Sequence, residues 1–391
     1  MDFDKMIDRR NTDSSKWNVG TNELPLGLAD MDFQVAPAIV ESIKRKAEYG
    51  VFGYTDIPQR YYESYKKWWK ENHDFDMDTS WMVFSTGIVP AISSIVRKLT
   101  TPAENVLILA PVYNIFYNSI LNNGRNVLSC DLCYQNGEYV IDFKDLEEKL
   151  SNSQTTMMIL CNPHNPIGKI WDKETLSRIG YLCTKYNVIV VSDEIHCDIV
   201  NPDYAYIPFA SVNDECASLS ITCLSASKAF NMAGLQSACI VIPNDYLRNK
   251  VVRGLNTDEV AETNVFAVDA TVAAFEESNG WLAQVNRYIQ NNKEIVERFI
   301  AENIPELHVV SSQATYLMWV DCSYFTLDTE IMCSYIRKET GLCLTSGTIF
   351  GESGASFIRI NVACPKERLN DALNRLKVGI YKYLEDYANG C

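Results

Sequence analysis

Several short apolar runs in this 391-residue chain are each followed at once by residues able to do chemistry. Trp81–Phe84 leads into Ser85-Thr86-Gly87-Ile88, with Pro90 close behind. Met157–Leu160 leads into Cys161-Asn162-Pro163-His164-Asn165-Pro166-Ile167-Gly168. Val188–Val191 leads into Ser192-Asp193-Glu194-Ile195-His196, and Ile221–Leu224 into Ser225-Ala226-Ser227-Lys228. Small residues opening a helix leave N–H groups and a positive dipole end, so Gly87 and Ile88 suit a phosphate. Ser225 and Ser227 add hydroxyls and Asn165 an amide. Asp193 offers a carboxylate for a charge-assisted hydrogen bond, and Lys228 an amine. Pyridoxal 5′-phosphate (PLP) demands this set: donors for its phosphate, a lysine for its aldehyde, a donor for its phenolic oxygen and an acid to keep its ring nitrogen protonated. Each element alone has a plainer reading. Gly87 and Asn165-Pro166 are turn signals, Asp193 is a helix cap, His196 a core histidine and Lys228 a solvated lysine. Their order and spacing favour the joint reading.

The elements that must position these groups follow from the hydrophobic rhythm. Short apolar runs, continuing through Val106–Leu109 and Ala238–Ile242, alternate with stretches long enough for crossover helices, such as Lys173–Tyr186. That rhythm predicts an α/β fold with a largely parallel sheet covered by helices. Ligands of such sheets bind outside the carboxyl ends of the strands, where these residues fall. The last hundred residues change rhythm: a helix-rich stretch from about Trp281, then Thr315–Val320, a helix near Thr329–Thr340, Phe357–Val362 and a final helix. Residues 1–50 are polar and turn-rich, then helical around Ala36–Tyr49, and are expected to pack with that part. The chain therefore divides into an N-terminal segment 1–50, a large domain 51–285 and a smaller α+β domain 286–391.

Composition excludes other classes. A formal charge of −15 disfavours binding to a nucleic-acid backbone, which needs clustered Lys and Arg. The N-terminus lacks the apolar core of a signal peptide, and no apolar run approaches the ~18–20 residues that span a bilayer. A cytoplasmic location is expected. The 13 Cys, scattered singly through apolar stretches, read as small buried hydrophobes. Cys130-x-x-Cys133 is the one close pair, and the His residues at 73, 164, 196 and 308 supply no companion ligands, so no metal is expected.

Asn162 to Gly168, Asp193-Glu194-Ile195-His196, Ser225 to Asn231 and Phe357-Ile358-Arg359-Ile360-Asn361 together resemble fold-type-I PLP enzymes of the class I/II aminotransferase superfamily. Asp8-Arg9-Arg10-Asn11-Thr12 with Lys16-Trp17, Ala29-Asp30-Met31-Asp32-Phe33, Gly53-Tyr54-Thr55 and Asn361-Val362-Ala363-Cys364-Pro365 are most similar to its MalY/PatB-type branch of cystathionine β-lyase-like C–S lyases. The resemblance runs end to end. It implies a seven-stranded PLP-transferase sheet sandwiched by helices. It implies that Lys228 is the Schiff-base lysine, that Asp193 faces the pyridine nitrogen and that Asn165 lies near the phenolic oxygen. Gly87, Ile88, Ser225 and Ser227 would serve the phosphate, Tyr113 would stack on the ring, and His196 would line the cofactor site. Arg359 would bind the substrate α-carboxylate bidentately. Tyr54 would reach the site of a neighbouring subunit and take part in catalysis, making a homodimer. Two positions depart from the superfamily pattern. His196 stands where aminotransferases commonly carry tyrosine, and Gln236 stands where many members place a phosphate-binding cation.

The activity so implied is α,β-elimination from L-cystathionine- or L-cysteine-type amino acids, giving pyruvate, ammonia and a thiol. An aminotransferase of the same superfamily is the alternative, since both reactions share every step up to the α-carbanion. A catalytically silent regulatory protein is a more distant reading, opposed by the intact Lys228, Asp193, Asn165 and Arg359.

Overall fold

Met157, Ile159 and Cys161 are buried on one side of their strand, and Met158 and Leu160 on the other. A strand apolar on both faces needs cover on both, which parallel sheets obtain from crossover helices. The chain, a computed structural model describing residues 1–388, is built on this requirement. Its main sheet has seven strands in the order Met82–Ser85, Ala238–Val241, Ser220–Leu224, Ile189–Asp193, Thr155–Cys161, Asn105–Ala110 and Asn126–Asp131. All neighbours are parallel except Ala238–Val241, which is antiparallel to both of its partners. Ile92 and Ile95 of Ile88–Leu99, with Val251 of Asp245–Thr257, cover one face. Leu146 of Phe143–Leu150, with Leu176 and Ile179 of Lys173–Tyr186, cover the other.

The helix Lys173–Tyr186 has the bounds its sequence suggests because both ends are marked. The Asp172 carboxylate accepts the Thr175 N–H at 2.7 Å, and Asn187 closes the helix in the left-handed region. Two features escaped the sequence reading. The edge strand Asn126–Asp131 is only partly buried and so lacks a continuous apolar run. The hairpin Cys133–Gln135 with Glu138–Val140 turns on Asn136-Gly137, whose φ values of 52° and 82° suit the tight turn that Asn-Gly favours.

A second, antiparallel sheet orders His308–Val309, Leu317–Asp321, Phe357–Asn361 and Thr345–Ser346. The N-terminal segment joins it from the side. Leu24–Pro25 pairs in parallel with Leu342–Cys343, and Leu26 O accepts Asn361 N–H at 2.8 Å. The helix Pro37–Tyr49 instead packs against Ala267–Glu277. The cysteines at 130, 161, 183, 197, 216, 223, 239, 322, 333 and 364 are buried free thiols, as their apolar neighbours suggested. Among the described residues no helix is long and apolar enough to cross a membrane.

Candidate active site

Strand register aligns Cys161, Asp193 and Cys223 across three adjacent strands, so the segments after them leave the sheet side by side. After Asp193 the chain turns: Ile195 N–H bonds the Asp193 carboxylate at 3.2 Å, and Glu194 N–H bonds Cys223 O at 3.1 Å. Asp193 and Glu194 thereby diverge. Glu194 accepts hydrogen bonds from Ser192 Oγ at 2.7 Å, Phe209 N–H at 2.9 Å and the Tyr206 hydroxyl, and burial nevertheless raises its pKa to about 7, so donor count rather than proton affinity separates the two acids. Among the described residues Asp193 receives only the one backbone donor. Burial pushes its pKa up to about 7, against the pull of the Ile195 N–H and the Lys228 charge. A buried carboxyl with one donor and, among the described residues, no ion pair is poised for a cationic partner.

Lys228 stands four residues beyond Leu224, in a turn organised by Ser225. Ser225 Oγ donates to Ser237 O at 2.7 Å and accepts the Ser227 N–H at 3.1 Å, so its hydroxyl proton is committed to the turn. The Lys228 ammonium donates to Ala29 O at 2.7 Å, an oxygen that also accepts the Tyr316 hydroxyl at 3.0 Å. Burial, reinforced by Arg359, brings Lys228 down to about 8, while Asp30 and Asp193 oppose the shift. Lys228 and Asp193 thus act on each other's proton affinity, and the structure brings the two together.

The turn after Cys161 carries Asn165. Gly168 closes it at φ +68°, where an added Cβ would meet Ser312 Oγ at 2.3 Å and Ala314 O at 2.9 Å. Asn165 O accepts Tyr113 N–H at 3.1 Å, and Asn165 Oδ1 accepts Arg359 Nη1–H at 3.1 Å. Arg359 Nη2 donates to Gly27 O at 2.8 Å, the guanidinium lies 4.8 Å from the Phe350 ring centroid, and Nε has no partner. Arg359 is a buried cation held only by neutral oxygens. Burial lowers its pKa to about 10, so it stays charged near neutral pH and lacks an anion. Burial likewise raises the Tyr113 phenol, and the Asp193 charge adds to the effect.

His196 is buried beside Tyr316, with ring centroids 6.0 Å apart, and its Nδ1 has no partner. Burial, then Lys228 and Arg359, lower it to about 3, so it is neutral. Gly87 N-caps Ile88–Leu99, whose first turn has N–H groups without intrahelical acceptors. Gln236 is exposed in a left-handed turn. Tyr54 lies in a stretch without regular secondary structure with its side chain fully exposed, and among the described residues it joins no part of this cluster. Sequence reasoning assigned no role to Ala29 or Tyr316. Ala29 belongs to a segment already noted as a motif, but its contribution is a backbone oxygen, which no residue type reveals.

His73, Cys197 and Asp198 also gather behind the sheet. His73 Nε2 and Trp68 Nε1 lie 2.8 and 2.9 Å from one Asp198 oxygen, a hydrogen-bonded arrangement that accounts for the group.

Known proteins resemble this chain over nearly its whole length. Residues 15–376 match the family model described as aminotransferase class I and II. Cystathionine beta-lyase PatB of Bacillus subtilis is 38% identical over 97% of this chain and 100% of its own length. The crystal structure of cystalysin from Treponema denticola, which contains PLP, superposes with a TM-score of 0.94 at 32% identity, covering 99% of both chains. The PLP-bound C-S lyase from Staphylococcus hominis superposes with a TM-score of 0.91 at 32% identity, covering 97% of this chain and 99% of that one.

Proposed function

Because the chain belongs to the class I and II aminotransferase family, we propose that it is a PLP-dependent carbon–sulfur β-lyase acting on cystathionine- or cysteine-type amino acids. The observation that carries the reading is the pairing of unmet charges in one buried site. Among the described residues neither Asp193 nor Arg359 forms an ion pair, while the Lys228 amine feels the charge of both. A protonated pyridine ring and an amino-acid carboxylate are the two ligands these charges call for. The fit extends to Asn165 for the phenolic oxygen, Tyr113 for the ring face, His196 for the cofactor pocket, and the helix start at Gly87 and Ile88 with Ser227 for the phosphate. Ser225 serves the phosphate through the turn it braces.

When bound, PLP supplies the electron sink for the pair left at the α-carbon. Arg359 fixes the substrate by its carboxylate. Lys228, once neutral, takes the α-proton as general base, and its lowered pKa brings that form within reach near neutrality. Asp193 would keep the ring nitrogen protonated. The β-carbon–sulfur bond then breaks with its electron pair leaving on sulfur as thiolate, and the enamine product hydrolyses to pyruvate and ammonia. Thiolates leave more readily than hydroxide because thiols are much stronger acids.

The same reading includes a cytoplasmic homodimer in amino-acid metabolism. Tyr49, Val51, Phe52 and Tyr54 expose 75%, 62%, 59% and 104% of their surfaces in one stretch, an apolar face suited to a second copy. Tyr54 would cross that face into the neighbour's site. The partition into 1–50, 51–285 and 286–391 belongs to this reading too, with the last boundary inside the helix Asn279–Asn303.

The test is a product assay with cystathionine and with cysteine, without any keto acid. Pyruvate, ammonia and thiol should appear together in equal amounts. Turnover strictly dependent on an added keto acid would establish the aminotransferase instead, and no turnover on either regime would refute both.

A further inference from the structure

The segment from Gly27 to Met31 has each successive carbonyl oxygen gripped by a side chain. Arg359 holds Gly27 O at 2.8 Å, and Asn361 holds Leu28 O and Asp30 O, each at 2.7 Å. Lys228 and Tyr316 share Ala29 O, and Asn231 holds Met31 O at 3.0 Å. Behind this segment lies a buried ionic cluster. The Asp32 carboxylate, fully enclosed, meets Arg9 at 2.9 Å, Arg368 at 2.9 Å and Lys16 at 3.2 Å, and accepts the Trp17 indole N–H at 2.9 Å. Arg9 also pairs with Asp30 at 2.9 Å and donates to Met31 O at 3.1 Å. Lys16 donates to Asp30 O at 3.1 Å and is itself buried.

Three cations around one enclosed carboxylate are costly to assemble and collapse if that carboxylate is neutralised. Among the described residues Asp32 and its three cations make no hydrogen bond to Lys228 or Arg359, yet they anchor the backbone that both side chains grip. We propose that Ala29 O is the docking acceptor for the Lys228 amine whenever that amine is free, and that Asp32 is a positioning residue that fixes this acceptor through the 27–32 segment. The inference rests on the reading of Lys228 as the α-proton base. A neutral amine that donates one N–H to Ala29 O keeps its lone pair available for a substrate proton. The Tyr316 hydroxyl, donating to the same oxygen, holds the carbonyl in place.

The arrangement also sets proton affinity. The groups facing Lys228 are Asp193 and His196 from the end of the strand Ile189–Asp193, Arg359 from Phe357–Asn361, Tyr316 before Leu317–Asp321, and Asp30 from the clamped segment. Burial and Arg359 disfavour the ammonium, whereas Asp30, Asp193 and the Ala29 carbonyl favour it. Loosening the segment withdraws the Ala29 and Asp30 contributions together, so the amine becomes neutral at lower pH.

The test compares Asp32→Asn, which retains the indole hydrogen bond but discharges the cluster, with Tyr316→Phe, which leaves the cluster intact and frees Ala29 O. Two measurements are made: the pH dependence of the rate at which cofactor-free protein takes up PLP, and kcat of the cofactor-saturated enzyme with cystathionine. Asp32→Asn should shift the uptake midpoint down by about one pH unit, whereas Tyr316→Phe, which leaves Ala29 O to Lys228 alone, should shift it up. Both should lower kcat ~10-fold or more; Tyr316→Phe should change KM less than about twofold because Arg359 keeps its place, whereas Asp32→Asn should also raise KM because Arg359 grips Gly27 O of the loosened segment. If Asp32→Asn does not fold, Arg9→Gln, which cuts the link between Asp32, Asp30 and Met31 O, takes its place for the positioning role, and Tyr316→Phe decides the docking. Unshifted uptake midpoints with wild-type kcat overturn the proposal, since a merely structural role would lower only thermal stability. If no thiol is released by the unmodified protein, the lyase reading fails while the uptake midpoints still decide the docking of Lys228.

Discussion

Replacing Asp193 by asparagine should stabilise the cofactor-free protein while abolishing its chemistry. Asparagine keeps an oxygen for the Ile195 N–H but carries no charge into the buried site. Burial raises the Asp193 carboxyl from 3.8 to about 7. The sign follows from linkage. Below pH 3.8 both folded and unfolded chains hold the proton, and Asp193 has no effect on the pH dependence of folding. As pH rises from 3.8 through about 7, the unfolded chain releases a proton that the folded chain retains, and stability falls. Above about 7 the loss is complete. A shift of about three units at ~1.36 kcal/mol each sets an upper value of ~4 kcal/mol, and compensation by Lys228 within the folded site is already part of that shift. Urea unfolding of cofactor-free wild type and Asp193→Asn at pH 5 and pH 8 measures it. The variant's advantage should widen with pH to roughly 2–4 kcal/mol. Adding PLP should reverse the order, because a ligand stabilises only the form that binds it well. A gap that stays constant or narrows between pH 5 and pH 8 would refute the claim that Asp193 is an uncompensated buried acid awaiting a cation.

Lys228→Ala should be colourless after PLP addition and gel filtration, and should lose at least ~1000-fold in lyase activity, the scale for removing an essential base. Arg359→Lys exchanges a planar fork for a point charge, and kcat/KM for amino-acid substrates should fall ~10–100-fold, mostly through KM. Gly168→Ala forces a Cβ into Ser312 and Ala314 at a positive φ, so the melting temperature should drop by an amount equivalent to ~1–3 kcal/mol, with weaker PLP retention as Asn165 moves. Tyr54→Ala should leave the fold intact, as its side chain is fully exposed in the single chain, yet lower activity in the dimer; sedimentation at micromolar concentration should show two chains per particle.

Much of the site is legible in the sequence because its parts sit at strand ends. A strand buried on both faces ends where its apolar run ends, and the residue type that follows states what chemistry is on offer, as at Asp193 and Lys228. The Lys173–Tyr186 helix is equally local, marked by Asp172 and Asn187. Asn126–Asp131 is not, because an edge strand needs no continuous apolar run to be held by its neighbour.

Sequence alone therefore determined the inventory: an amine, an acid, an amide and a guanidinium carried on an α/β sheet, with the family likeness their spacing conveys. Only the tertiary structure decided which charges are left without partners. Glu194 and Asp193 are adjacent acids of nearly equal intrinsic strength. One accepts hydrogen bonds from Ser192, Tyr206 and Phe209, while among the described residues the other meets a single amide and stays available. Pairing is a property of distance and enclosure across segments far apart in the chain. That is why Ala29, contributing only a carbonyl brought over from the N-terminal segment, becomes visible as the partner of Lys228 once the fold is complete.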